Sequence, residues 1–273
     1  MRRALNDILL HGALLLGAAV TLTPLVWMVA ASFMQPGQAN TFPPRFLPDQ
    51  PTLQNYITLF SRMDLALHFF NSAFITVTAT VISVLVCAMA GYSFAKLHFR
   101  GRNGLFRGLT TALVIPAQVG MLPLFLLLRE LGFVNTYAGV MIPYFASVFG
   151  IFLIRQYVLS VPADLLDAAR VDGAGEFHIF MKIVLPLIRP ILVTLATFTF
   201  LSAWNDFMWP LIILSDSAKY TLPVALANLV GEHVQDTELM LAGSVLTILP
   251  ALVIFLFFQR AYVRGIMAGG VKG

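Results

Sequence analysis

The sequence predicts an all-α membrane protein with six transmembrane helices and both termini in the cytoplasm. Three observations carry that prediction. Only 11% of the 273 residues are charged against 59% hydrophobic, with a mean hydropathy of +0.84, whereas a soluble domain carries about 25% charged residues. Six apolar tracts are each long enough for the ~20 residues of helix that a bilayer requires. The cations gather between alternate tracts, and that asymmetry is what orients a chain in a membrane.

The tracts run Ile8–Met34, Asn71–Ala95, Leu109–Leu128, Tyr137–Ile154, Pro190–Leu214 and Leu239–Phe258, the fourth being the shortest. Arg2 and Arg3 precede the first, and the small residues Ala30-Ala31-Ser32 close it, as in a secretory signal. Its apolar run exceeds the ~7–15 residues of a signal core, so a retained helix is predicted. With the N-terminus inside, the cytoplasmic segments hold Arg2, Arg3, Lys96, Arg100, Arg102, Arg107, Arg155, Arg170, Lys182, Arg189, Arg260, Arg264 and Lys272. Of the 17 Lys and Arg, only Arg45, Arg62, Arg129 and Lys219 fall elsewhere. The net charge of +4 and pI near 9.4 therefore report orientation. Nucleic acid is excluded, since binding it needs a basic face on a soluble domain. The single cysteine, Cys87, lies in an apolar run and is read as a small buried hydrophobe.

Neither internal repeats nor low-complexity stretches interrupt the chain, which reads as one membrane domain. Residues 1–66 form the first helix and a Pro-rich outer loop, 67–262 the transmembrane core, and 263–273 a cytoplasmic tail. Pro36, Pro43, Pro44, Pro48 and Pro51 forbid a continuous helix in the outer loop. The run LQNYITLF after them predicts a short helix on the membrane or on a partner. TLPVALANLV in the loop 215–238 predicts an interfacial or re-entrant segment.

The most informative stretch is the loop 160–188, which contains DLLDAARVDGAGEFHIFMKIVLP between two apolar tracts. A membrane protein that puts its densest charge on one loop is presenting that loop to water or to a soluble partner. Pro162 suits the start of a helix, and Asp164 is an acid where the helix dipole favours one. Leu165, Ala168, Ala169 and Asp172 share one helical face, kept slim by the alanines. Gly173 is placed to adopt positive φ and turn the chain into a second helix, Glu176 to Val184, ahead of Pro186. Such a pair either docks in a partner's groove or lies on lipid headgroups with Lys182 and Arg189 as anchors.

The spacing Asp167-Ala168-Ala169, three residues, Gly173, nine residues, Ile183, one residue, Leu185-Pro186 resembles the EAA loop of ABC importer permeases. LPLF (122–125), PYF (143–145), LIRQY (153–157), WNDFMWPLII (204–213) and the tail QRAYVRGIMAGGVKG (259–273) are similar to the carbohydrate-uptake subfamily, in particular the smaller permease of maltose-type importers. The departure is Asp167, where the family usually has Glu, a shorter side chain of the same charge. The resemblance implies a type I importer fold with cytoplasmic coupling helices, in a bacterial inner membrane. It implies that Asp167, Ala168, Ala169, Asp172, Gly173, Ile183, Leu185 and Pro186 couple to an ATP-binding subunit. The tail Ala268, Gly269, Gly270, Val271, Lys272 and Gly273 would contact the same ATPase dimer. It implies a second, homologous permease, a periplasmic or extracellular sugar-binding protein, and a sugar as the solute.

No enzyme chemistry is visible in the residues. There is no GxxxxGK[ST] phosphate loop, so ATP and Mg are expected on a partner. HExxH and GxSxG are also missing, and the five histidines (11, 68, 98, 178 and 233) are scattered, so neither a metal site nor a catalytic residue is predicted. Asp206 is the only acid in the fifth tract, beside Asn205 and between Trp204 and Trp209. Two readings stand. The four residues line a solute path, with a sugar ring stacked on an indole; or the tryptophans are interface-belt aromatics and Asp206 sits at the water boundary. Asn71, Gln118 and Asn135 are further candidates. An ion-gradient-driven secondary transporter is the alternative class, since Asp206 is ionisable within a span. It would require internal inverted repeats and leaves the charged loop and tail unexplained.

Overall fold

A computed structural model describes residues 2–62, 64–232 and 236–270, with the backbone alone for 2–5, 62, 229–232 and 260–270. Its regular structure among these residues is helical: α1 Arg2–Ser32, α2 Gln54–Arg62, α3 Leu65–Lys96, α4 Arg102–Thr111, α5 Ala117–Glu130, α6 Tyr137–Met141, α7 Val148–Leu159, α8 Ala163–Val171, α9 Glu176–Ile179, α10 Leu185–Leu187, α11 Arg189–Trp204, α12 Met208–Ile213, α13 Leu222–Glu232 and α14 Thr237–Gly270. Four stretches are long and apolar enough to cross a bilayer without a sharp break: Asn6–Ser32, Leu65–Lys96, Tyr137–Leu159 and Thr237–Gln259. Two bent pairs raise the number of spans to as many as six: Arg102–Val114 with Ala117–Glu130, at 109°, and Glu176–Leu187 with Arg189–Trp204, at 80°.

Three tracts read as continuous in sequence are interrupted, the fourth, Tyr137–Ile154, by the stretch 142–147 between α6 and α7. The third, Leu109–Leu128, breaks at Ile115, whose extended backbone (ψ 121°) is what a following proline, Pro116, imposes. The fifth, Pro190–Leu214, ends as a helix at Trp204 and resumes at Met208, so that Asn205, Asp206 and Phe207 form a gap. Hydropathy averages over such gaps, because the flanking residues remain apolar.

The helices fall into two compact units, Met1–Leu67 with Ala225–Pro250, and His68–Val224 with Ala251–Gly273. In the first unit the Pro-rich segment is pinned. Trp27 Nε1 donates to Arg45 O at 2.9 Å, and Asn55 Nδ2 donates to the carbonyls of Ser32 and Met34, each at 2.9 Å. The fully buried Glu238 accepts from the Ala39 amide at 2.7 Å. No part of the most apolar window of α1 is buried.

The second unit is built on a close crossing of α3 and α7. A Cβ on Gly91 would lie 2.6 Å from Ile154 Cγ2 and 3.0 Å from the Arg155 amide nitrogen, so glycine is what allows these backbones to meet. Small residues at such crossings are the usual route to helix association in lipid, where the hydrophobic effect drives nothing together. Cys87, Ala88, Tyr92, Ile151, Ile154 and Val158 make this core continuous with Leu166, Ile179, Phe180, Val184 and Ile188 of the cytoplasmic loop.

Candidate functional site

The loop 160–188 folds as two short helices on a buried base. Leu166, 1% exposed, is the anchor of α8, with Ile179, Phe180 and Val184 holding the second arm. The sequence pattern had singled out Leu165, Ala168, Ala169 and Asp172 as a face. Leu165, Ala168 and Asp172 are indeed exposed, while Ala169 is half-buried against the core. Gly173 has φ 85°. Its amide donates to Arg170 O at 3.0 Å, and Ala174 N donates to Ala169 O at 2.9 Å. These paired bonds are the Schellman helix stop that a positive-φ residue permits. The second arm is not one plain helix. α9 opens into a π turn, Phe180–Val184, followed by α10 with Pro186 in its first turn. A proline has no amide to give, and a widened turn accommodates it.

Ala169, Asp172, Gly173, Ala174 and Ile183 border a hollow of about 520 Å³ between the arms. Asp167 and Ala168 stay on the outer surface, Leu185 packs on the core and Pro186 is exposed. Val171 and Phe177 are 88% and 73% exposed, an apolar presentation that the sequence reading did not single out. Charge stiffens the turn. Arg170 bonds Asp167 at 2.6 Å and Glu176 at 2.7 Å. The Arg170 guanidinium, and after it a hydroxyl donated by Tyr92, hold the Glu176 carboxyl below its ordinary range, and the two carboxylates raise Arg170.

A cavity of about 630 Å³ opens where three irregular stretches meet: the break before α5, the turn 142–147, and the gap after α11. Irregular backbone at membrane depth is tolerated where it lines a cavity or is enclosed by protein. Gln118, Tyr144, Ser147, Thr199, Ser202 and Asp206 supply polar atoms, against walls that include Met121, Phe149, Leu195, Phe198 and Trp209. Asp206 Oδ2 accepts from the Tyr144 hydroxyl at 2.5 Å, and Oδ1 from the Trp209 amide at 3.3 Å. Trp209 Nε1 donates to Gly139 O at 3.1 Å, which fixes the indole.

Of the four residues singled out here, Asp206 and Trp209 line the cavity; Trp204 and Asn205 are not on its wall. Trp204 is 2% exposed, stacked on Phe200 and edge-on to Phe69. Asn205 Nδ2 donates back to Leu201 O. Gln118 is a lining residue, while Asn71 bonds the Tyr137 hydroxyl and the carbonyls of Ala218 and Tyr220. Asn135 adopts φ 59°, and its Oδ1 accepts from the Ser215 and Asp216 amides. Tyr144, Ser147, Thr199 and Ser202 escaped the sequence reading. Pro143, beside Tyr144, was the available signal. In the tail, Ala268, Gly269 and Gly270 continue α14 as backbone, and Val271, Lys272 and Gly273 lie outside the described residues.

Residues 83–268 match the family described as binding-protein-dependent transport system inner membrane component. The chain belongs to that family. It is a multi-pass component of the bacterial inner membrane. It is 40% identical over 263 residues, 94% of this chain and 93% of the other, to the arabinooligosaccharides transport system permease protein AraQ of Halalkalibacterium halodurans. It is 32% identical to the lactose transport system permease protein LacG of Rhizobium radiobacter, over 100% of this chain and 98% of the other. The fold matches that of a chain in the crystal structure of a bacterial ABC transporter involved in the import of the acidic polysaccharide alginate. The TM-score is 0.81 at 26% identity, covering 94% of this chain and 97% of that one.

Proposed function

We propose that this chain is one permease subunit of an ATP-driven importer carrying an uncharged di- or oligosaccharide across the cytoplasmic membrane. The observation that carries the reading is the exposed helix pair α8–Gly173–α9, clamped to the membrane core yet showing Leu165, Val171 and Phe177 to water. Exposed apolar groups on a rigid base suit a groove on a partner rather than a free surface. In this reading the N-terminus and the loop 160–188 face the cytoplasm, following the cation bias. ATP with Mg would bind the partner subunits and the tail would reach them. A second, homologous permease would cover surfaces such as the unburied apolar length of α1.

The solute class follows from the cavity. Among its described lining residues Asp206 is the one charged side chain, and no Lys, Arg or His balances it. A carboxylate facing a largely apolar wall repels an anion and accepts hydroxyl donors, as a sugar presents. Relatives named for arabinooligosaccharide and lactose transport agree with that class. Transport would consist of ATP-driven rotation of the coupling helices with the spans, shifting a two-state balance that the delivered solute also biases.

The test is uptake into proteoliposomes holding this chain, its second permease, the ATP-binding subunits and the solute-binding protein. Labelled lactose, arabinotriose and glycerol 3-phosphate serve as probes. ATP-dependent entry of a neutral sugar supports the reading. Entry of glycerol 3-phosphate alone overturns the solute class, and uptake driven by an ion gradient without ATP overturns the importer.

A further inference from the structure

We propose that Tyr92, through Glu176, and Lys96, through the Val161 carbonyl, are positioning residues that carry the coupling helices' movement into α3. The proposal rests on the permease reading above. It concerns which span receives the motion.

Both ends of α8 are tied to the same face of α3. Lys96 Nζ donates to Val161 O at 2.6 Å, in the turn that enters α8. One helical turn earlier, the Tyr92 hydroxyl donates to Glu176 Oε2 at 2.6 Å, where the loop re-enters helix at α9. Residues four apart stack on one side of a helix, so the two bonds grip α8 from before and behind. Glu176 Oε1 accepts from Arg170, and Arg170 reaches on to Asp167 at the exposed surface. A hydrogen-bonded line thus runs from the partner-facing side of α8 to the interior of a span. Tyr92 is 3% exposed and its ring lies 5.5 Å from that of Phe180, so its hydroxyl is held in place by packing.

The covalent route leads into α11. From α9 the chain passes through the π turn, then Pro186, then an 80° bend at Ile188, which is fully buried in the same core as Tyr92 and Leu195. Charge-assisted bonds onto a buried ring, backed by the close Gly91–Ile154 crossing, give α3 a link to the loop that does not depend on that covalent route. The spans that move with the coupling helices therefore include α3 with α7, beside α11, which directly follows the loop.

The experiment uses the whole importer in nanodiscs, with Cys87→Ser and spin labels at Met89→Cys on α3 and Asp164→Cys on α8. With ATP, Mg and vanadate, the 89–164 distance should stay fixed while both residues move relative to the rest. Tyr92→Phe with Lys96→Met should broaden that distance. The pair should also keep basal ATP hydrolysis and lose about tenfold of its stimulation by solute-loaded binding protein, the equivalent of one such bond in coupling. Lys96→Arg, which retains a donor, should preserve stimulation. A wild-type 89–164 distance that shifts on nucleotide binding overturns the proposal, and does so even if the double variant fails to assemble. Stimulation that survives in an assembled double variant also overturns it. A wild-type complex without any stimulation would instead refute the permease reading itself.

Discussion

Gly91→Ala sets two effects of opposite sign against each other at the α3–α7 crossing. In a helix interior, alanine is favoured over glycine by roughly 0.5–1 kcal/mol. At this position the added Cβ would sit 2.6 and 2.7 Å from two carbons of Ile154 and 3.0 Å from the Arg155 amide nitrogen. Carbon contacts are optimal at about 3.5–4.0 Å, so the helices must part by about 1 Å. One of the obstructing atoms is backbone and cannot rotate away. Overpacking of this kind costs about 1–3 kcal/mol, which outweighs the propensity gain. At about 2–4 °C per kcal/mol, the thermal midpoint of the purified chain should fall by several degrees. Gly104→Ala is the matched control, since its Cβ meets nothing within 4 Å in α4. Intrinsic tryptophan fluorescence against temperature, in one detergent, reads all three proteins. Gly91→Ala melting at or above the wild-type midpoint, together with Gly104→Ala, would refute the close crossing.

Gly173 also meets no neighbour, so Gly173→Ala adds backbone strain alone; at φ 85° that is about 1–2 kcal/mol, read as raised proteolysis between α8 and α9, with Gly173→Asn milder. Tyr144→Phe removes the hydroxyl that Asp206 accepts from at 2.5 Å, and the loss should be about 1.5–3 kcal/mol in denaturant unfolding, while Phe149→Leu leaves that bond intact. Because Glu176 is held below its ordinary value in the folded loop, its stabilisation is present above the ordinary carboxylate range. It is lost as pH falls through the lowered folded value. A spin label at His178→Cys should gain mobility only in strong acid, and Glu176→Gln should abolish that pH step.

Composition and hydropathy made the membrane class legible, because a chain this poor in charge cannot keep its apolar surface out of water except in a bilayer. The turn at Gly173 was legible for a local reason: only glycine takes φ 85° cheaply, and it follows an amphipathic segment closed by Arg170 and Asp172. Leu166 was passed over as the anchor because a nine-residue helix offers too few turns to separate its buried side from its exposed one. The breaks at Ile115 and Asn205 were hidden for a different reason. Their neighbours stay apolar to fill the membrane, so only Pro116 and the polar pair Asn205-Asp206 betrayed them. The cavity was least legible of all. Gln118, Tyr144 and the pair Thr199 and Asp206 come from three separate stretches that only the packing brings together. The Tyr92–Glu176 bond spans 84 positions, beyond any local pattern.

The central claim is that the loop 160–188 is the surface through which an ATP-binding subunit drives this permease. A photocrosslinking residue at Val171, which is 88% exposed, tests it most directly, with Leu122, an exposed apolar residue of α5, as the control position. The account predicts an adduct from position 171 whose partner, sequenced by mass spectrometry, carries a GxxxxGK[ST] phosphate loop, and lipid adducts alone from position 122. Lipid adducts alone from position 171 would mean that the helix pair lies on the membrane surface, and would contradict the account.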